Sequence, residues 1–186
     1  MHDAVTNEGR ADSRPPVLVG MMGAGKTTVG RRLAARLGRR FVDADRALEE
    51  RCGVPISTIF ELEGEEGFRR RERAMLEELI ALPDIVLATG GGVVLDDENR
   101  RLLRERGWVV YLKTAEAELW HRLRRDRARP LLQTANPRER IAQLLSQREP
   151  LYESVAHLTV TSVHQPVDEL VDHIIGALPE SLRPLR

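Results

Sequence analysis

Residues Gly20-Met21-Met22-Gly23-Ala24-Gly25-Lys26-Thr27 fit the pattern G-x-x-x-x-G-K-[ST] at every fixed position, after an apolar run and before a helical pattern. Phosphate binding calls for these residue types at this spacing. Glycines let backbone N–H groups converge on phosphate oxygens, and the N-terminus of the following helix adds a favourable dipole. Lys26 then reaches the β- and γ-phosphates while Thr27 offers a hydroxyl to Mg²⁺. The expectation is a nucleotide-binding protein using ATP and Mg²⁺, with Gly23, Ala24, Gly25, Lys26 and Thr27 as the cradle. A structural glycine turn is the competing reading. The motif does not say what receives the phosphoryl group.

In open parallel sheets, ligands bind outside the carboxyl ends of the strands, so the acceptor is sought at the other strand ends. Asp43 and Asp45 lie two apart after the run Phe41-Val42. If the strand continues through them, both face one side, where one carboxylate holds Mg²⁺ through water and the other takes a proton from an attacking hydroxyl. Capping of the next helix explains the same residues equally well. Gly90-Gly91-Gly92 follows an apolar strand; the triplet reads either as a tight turn or as close backbone approach to a ligand. Arg69, Arg129 and Arg148 offer planar, bidentate recognition of carboxylate or phosphate, although the default for any one arginine here is a solvated face.

The elements that position these residues alternate short β-branched runs with amphipathic stretches, which implies a wound α/β domain. Strands are expected at residues 17–19, 41–45, 85–88, 108–112 and 158–161. The continuously apolar third run suggests burial on both faces. Helices are expected after Lys26 up to Gly38, over 56–82 with breaks near Gly64 and Gly67, and over 99–106, 115–125, 138–148 and 167–178. Pro150 reads as a turn, Cys52 as an ordinary helix-end cysteine, and the polar segment 126–137 as a functional loop.

Among 186 residues, 29 basic side chains balance 29 acidic ones, so the formal net charge is zero. That balance argues against a polybasic, nucleic-acid-binding role. The basic set comprises 27 arginines and only two lysines, Lys26 and Lys113, which draws attention to both. One cysteine and five scattered histidines give neither a disulfide nor zinc spacing, so a reducing, cytoplasmic interior is expected. No apolar run approaches the roughly 20 residues of a bilayer span, and the polar N-terminus lacks the features of a signal peptide. The expected organisation is a disordered tail at 1–14, a single domain at 15–178 with a mobile lid at about 123–137, and a C-terminal tail at 179–186.

Taken together, the phosphate loop, Asp43-Ala44-Asp45, the run Gly64-Glu65-Glu66-Gly67-Phe68-Arg69-Arg70, the triple glycine, Arg129-Pro130-Leu131-Leu132 and Arg148-Glu149-Pro150-Leu151-Tyr152 resemble the shikimate kinase family in order and spacing, over residues 17–178. The resemblance implies a three-layer P-loop kinase fold with a five-stranded parallel sheet in order 2-3-1-4-5, flanked by helices. It also implies transfer of the γ-phosphoryl of ATP to the 3-hydroxyl of shikimate, with one Mg²⁺ per monomer and a monomer as the family expectation; the charge balance and hydropathy add the expectation of no nucleic-acid and no membrane partner. By the same resemblance Asp45 orients or deprotonates the attacking hydroxyl and Asp43 helps hold Mg²⁺ beside Thr27. Arg69 and Arg148 bind the substrate carboxylate, the backbone of Gly90, Gly91 and Gly92 approaches the substrate ring, and Arg129 closes over the phosphates. Arg122 is placed against adenine, Thr28 at the α-phosphate, and the segment 162–166 as a wall of the base site.

Two rivals share the phosphate loop. One is a kinase for another small hydroxy acid or a nucleotide; the other is a regulatory module that binds nucleotide without transfer. A regulator has no need of a complete acceptor site, so Asp45, Arg69, the glycine triplet and Arg148 discriminate.

Overall fold

The computed structural model describes residues 14–125, 130–162 and 165–184. The tail expected at 1–14 lies outside the described residues except for Arg14, and so does part of the expected lid, at 126–129. Five parallel strands, β1 (Pro16–Val19), β2 (Arg40–Asp43), β3 (Ile85–Ala88), β4 (Trp108–Lys113) and β5 (Leu158–Thr161), form one sheet in the order β2-β3-β1-β4-β5. The three central strands are the continuously apolar runs. β1 and β3 are buried at every residue and β4 at every residue but its last, as strands with both faces covered must be.

Successive side chains of a strand point to opposite faces, and two cores result. Val17, Val19 and Leu87 face α3 (Ile56–Leu79), α4 (Asp97–Arg106) and α6 (Pro137–Val155). Leu18, Val86, Val110 and Leu112 face α1 (Lys26–Leu37) and α7 (Val167–Ala177). Burial of each large apolar side chain contributes roughly 1.5–3 kcal/mol. α1 follows from its apolar stripe Val29, Leu33, Ala34 and Leu37, and stops at Gly38, whose left-handed conformation (φ 66°) lets its N–H close on the carbonyls of Ala34 and Ala35. α5 (Glu116–Leu123) lies beside α6. Among the described residues no helix is long and apolar enough to cross a membrane.

Four expectations are corrected. β2 ends at Asp43 and α2 (Ala44–Cys52) starts at once, so Asp45 lies on the first helical turn and the strand-alternation argument for its direction fails. Asp43 caps this helix, its side chain accepting from the Arg46 amide, and the helix ends with Cys52 before Gly53. In α3 only Gly64 leaves helical geometry (φ 68°, ψ −175°), whereas Gly67 is helical and buried; the helix closes at Leu79.

α6 passes through Pro150 and runs on to Val155. Proline removes one helical hydrogen bond and crowds the carbonyl four residues back, at a cost of about 3 kcal/mol. Beyond it the helix buries Tyr152 and Val155, and Lys113 Nζ reaches Glu149 Oε1 at 2.7 Å and Glu153 Oε1 at 2.9 Å. Two buried side chains at the burial value above suffice to offset the proline. Of the expected C-terminal tail, residues 179–184 are described and pack on the domain: a 3-10 turn at Glu180–Leu182 buries Leu182, and Arg183 donates to the carbonyls of Leu178 (2.8 Å) and Gly176 (2.9 Å).

Candidate active site

The sheet order brings the carboxyl ends of β1, β2 and β3 together. Leu18 and Asp43 both stand opposite Ala88 in register, so the phosphate loop, the Asp43 corner and the glycine triplet emerge side by side. Thr89 ties them, its N–H and hydroxyl both donating to the Leu18 carbonyl at 3.2 and 3.0 Å.

In the phosphate loop Gly20, Gly23 and Gly25 take φ of 145°, 78° and 96°. These are conformations that L side chains rarely adopt. Gly25 is also the cap from which α1 starts, so the first amides of the helix open into the loop. Lys26 Nζ donates to the carbonyls of Gly20 and Met21, each at 2.8 Å. The Thr27 hydroxyl donates to Asp43 Oδ2 at 2.9 Å, while Asp43 Oδ1 accepts the Arg46 amide at 3.3 Å. Asp43 thus caps α2 with one oxygen and faces the loop hydroxyl with the other. A hydroxyl and a carboxylate converging beside a phosphate cradle are hard oxygen donors of the kind Mg²⁺ takes, with substrate phosphates and water completing its shell.

A cleft of about 780 Å³ extends from this loop past Thr28 to Glu118, Arg122, Ser162 and Gln165. Arg122 is fixed there by Glu118 (Nε to Oε1, 2.7 Å) and donates from Nη1 to the Gly23 carbonyl at 3.1 Å. Residues 163–164 of the expected base wall lie outside the described residues, as does Arg129.

A second cavity of about 120 Å³ adjoins the first, and Met22, Asp45 and Gly91 line both. Its polar side carries Asp45, Arg69, Glu72 and Arg148 with the glycine triplet; Ile56, Phe60, Phe68 and Leu131 make the apolar side. Phe60 and Phe68 stack with centroids 4.6 Å apart, and the Arg69 guanidinium lies 5.1 Å from the Phe68 ring centroid. The glycines are explained by space. A Cβ on Gly92 would stand 2.4 Å from Arg69 Nη1, and one on Gly90 would stand 2.7 Å from Asp45 Oδ1 and 3.0 Å from Glu72 Oε1. None of the three has a positive φ, so the turn itself does not require glycine; the functional side chains do at Gly90 and Gly92, and at Gly91 the Met22 backbone N would stand 3.2 Å from a Cβ.

The two arginines of the cavity differ. Arg69 is paired, with Nη1 on Glu72 Oε2 at 2.6 Å and Nη2 on Glu65 Oε1 at 3.2 Å. Arg148 is 3% exposed, its Nε has no hydrogen-bond partner, and among the described residues no carboxylate lies within ion-pair distance of it. A buried guanidinium with no carboxylate in contact is costly, even with the charge of Glu72 nearby, and the cavity it lines is where an anion would relieve that cost.

Glu72, 6% exposed, was missed in the sequence because it sits inside the charged run Arg69-Arg70-Arg71-Glu72-Arg73 and looks like surface. Burial pushes its carboxyl above the usual range, against the pull of Arg69, and Oε1 has no partner. The only sequence signal was its position three residues after Arg69, one turn along the same helical face.

A phosphate loop on a 2-3-1-4-5 parallel sheet, opening through one carboxylate into a small pocket with two arginines, defines a P-loop kinase of a small molecule. The family described as "SKI: Shikimate kinase" matches residues 22–179, and the chain belongs to the shikimate kinase family. It is 55% identical over 164 residues to the shikimate kinase of Bordetella avium, covering 88% of this chain and 78% of that protein. To the shikimate kinase of Aromatoleum aromaticum it is 60% identical over 144 residues, covering 77% and 82%. Among solved structures it is similar to shikimate kinase from Acinetobacter baumannii in complex with shikimate, with a TM-score of 0.84 and 47% identity over 88% of this chain and 92% of that one.

Proposed function

We propose that the chain transfers the γ-phosphoryl group of MgATP to the 3-hydroxyl of shikimate, giving shikimate 3-phosphate and ADP. The observation that carries this reading is Arg148, a buried guanidinium with no carboxylate within ion-pair distance among the described residues, in a cavity that adjoins the phosphate cleft at Asp45. A cavity of about 120 Å³ is well below the about 300–1,000 Å³ of drug-sized sites. That favours a small hydroxy acid over a nucleoside acceptor.

ATP phosphates lie along Gly23, Ala24, Gly25 and the first amides of α1, with Lys26 at the β/γ junction and Thr28 near the α-phosphate. Arg122, steadied by Glu118, borders the adenine. Thr27 directly, and Asp43 through water, would hold Mg²⁺, which when bound neutralises charge on the β- and γ-phosphates. Arg69 and Arg148 clamp the shikimate carboxylate beside the Gly90 to Gly92 backbone, while the Phe60 and Phe68 side packs on the ring. Asp45, common to both cavities, orients the 3-hydroxyl and accepts its proton. The hydroxyl oxygen bonds to the γ-phosphorus as the bond to the bridging oxygen of ADP breaks. Arg129, on a lid at about 123–137, closes over the phosphates and helps exclude water, so that transfer goes to the acid and not to solvent. The enzyme is proposed as a cytoplasmic monomer acting on small molecules alone; the neutral net charge argues against polyanionic partners.

Arg69→Ala and Arg148→Ala test the clamp. Each is expected to raise the shikimate KM roughly 10- to 150-fold, the equivalent of ~1.5–3 kcal/mol for a hydrogen bond to a charged group, with ATP KM changed far less. Steady-state kinetics on both substrates checks this; an unchanged shikimate KM in both variants would reduce the two arginines to structural charges.

A further inference from the structure

Tyr152 has no part in the chemistry above, yet it touches both halves of the acceptor site. Its side chain is fully buried and stacks on Tyr111 with centroids 5.0 Å apart. Its hydroxyl donates to the carbonyl oxygen of Gly91. Arg148 stands four residues earlier on α6, on the same helical face, and its guanidinium lies close enough to oppose the upward push that burial gives the Tyr152 hydroxyl. A Cβ on Gly91 would in turn be 3.6 Å from Arg148 Nη1. Tyr152, Gly91 and Arg148 thus form one packed unit.

The peptide joining Gly91 to Gly92 is planar, with its C=O and N–H pointing opposite ways. Holding the Gly91 oxygen on Tyr152 therefore fixes the direction of the Gly92 N–H. Among the described residues neither Gly91 N nor Gly92 N donates to a backbone carbonyl. Three glycines in succession would otherwise let this peptide turn freely. Pro150 also leaves the last turns of α6 without one helical hydrogen bond, so anchors outside the helix must fix them: the Tyr152 hydroxyl on the inside and Lys113 on Glu149 and Glu153 on the outside.

We propose that Tyr152 is a positioning residue for the acceptor: its hydroxyl locks the Gly91–Gly92 peptide beside Arg148, so that the glycine turn and the guanidinium present their N–H groups to one carboxylate. This rests on the carboxylate reading of the cavity. The test is Tyr152→Phe, which keeps the ring and removes one bond. Shikimate KM is expected to rise about tenfold, with ATP KM within about twofold of wild type. A lower melting temperature with unchanged shikimate KM overturns the proposal, because a merely structural tyrosine would behave that way.

Should Tyr152→Phe not fold, the wild-type chain serves. It holds two tyrosines, so 3-fluorotyrosine labelling gives two ¹⁹F resonances, which Tyr111→Phe assigns. Saturating shikimate is expected to shift the Tyr152 resonance, whereas a non-hydrolysable ATP analogue leaves it in place. No shift with shikimate overturns the proposal. Wild-type protein inactive on shikimate would sink the functional reading itself, whereas active wild type with an unaffected Tyr152→Phe shikimate KM sinks only the role of Tyr152.

Discussion

Lys26→Ala is expected to lower kcat by about a thousandfold or more while the domain stays folded. The ammonium group contacts the Gly20 and Met21 carbonyls at 2.8 Å each, which holds it at the mouth of the loop where the β- and γ-phosphates would lie. Charge would develop on the transferring group there, and removing a single preorganised donor from such a position costs about 10²–10³-fold. Lys26 also carries a full charge, and the other lysine, Lys113, is engaged with Glu149 and Glu153 on α6 and cannot substitute. A bond to a charged group is worth about 1.5–3 kcal/mol, but Lys26 lines the cleft, where water can take the place of the ammonium on the two carbonyls, so the net loss stays below the roughly 5–15 kcal/mol of a domain. Single-turnover rates with a parallel thermal melt check both halves of the prediction. Wild-type turnover in a clean preparation would remove the phosphate-site account altogether.

Asp45→Asn is expected to cut kcat by about 10²–10⁴-fold, the span for loss of a positioned general base, with a smaller change in shikimate affinity. Among the described residues Met22, Asp45 and Gly91 line both cavities, and of these Asp45 alone brings a carboxylate to the boundary, within reach of an acceptor hydroxyl and the phosphoryl path. Asparagine keeps the shape and can still hydrogen-bond a hydroxyl, but it cannot take the proton. Calorimetry for shikimate binding and steady-state kcat separate the two effects. A loss confined to binding, with kcat retained, would make Asp45 an anchor and leave the base unassigned.

The phosphate loop was fully legible in the sequence because it is local: eight consecutive residues carry both the motif and the backbone conformations it needs. Strand positions were readable for the same reason, since β1, β3 and β4 are continuously apolar. The sheet order was not, because alternation of strands and helices is compatible with several windings; only the resemblance supplied 2-3-1-4-5. Asp45 was singled out on a strand-alternation argument that the structure does not support. Its chain neighbour Asp43 ends the strand as a helix cap, so the direction of Asp45 comes from the first turn of α2. Pro150 misled because its local penalty is real, whereas the burial of Tyr152 and Val155 that outweighs it depends on contacts distant in sequence.

Glu72, Tyr152 and the apolar side of the acceptor cavity were unreadable in isolation. A buried glutamate and a surface glutamate have the same letter, and what distinguishes Glu72 is that α3 turns it toward Arg69 and the space above Gly90. The glycine triplet left a tight turn and close ligand approach both open, and the reason for its glycines was not readable. Its missing side chains leave room for Asp45, Glu72 and Arg69, residues between 18 and 45 positions earlier in the chain.

The most direct measurement is ADP release by the purified chain with MgATP and, in turn, shikimate, gluconate and nucleoside monophosphates, with the phosphorylated product identified by ³¹P NMR. Release is expected with shikimate alone, matched one for one by shikimate 3-phosphate. Equal or faster turnover of gluconate or a nucleotide, or none with shikimate, would contradict the assignment of Arg69, Arg148 and Asp45 to a small acid bearing the attacking hydroxyl.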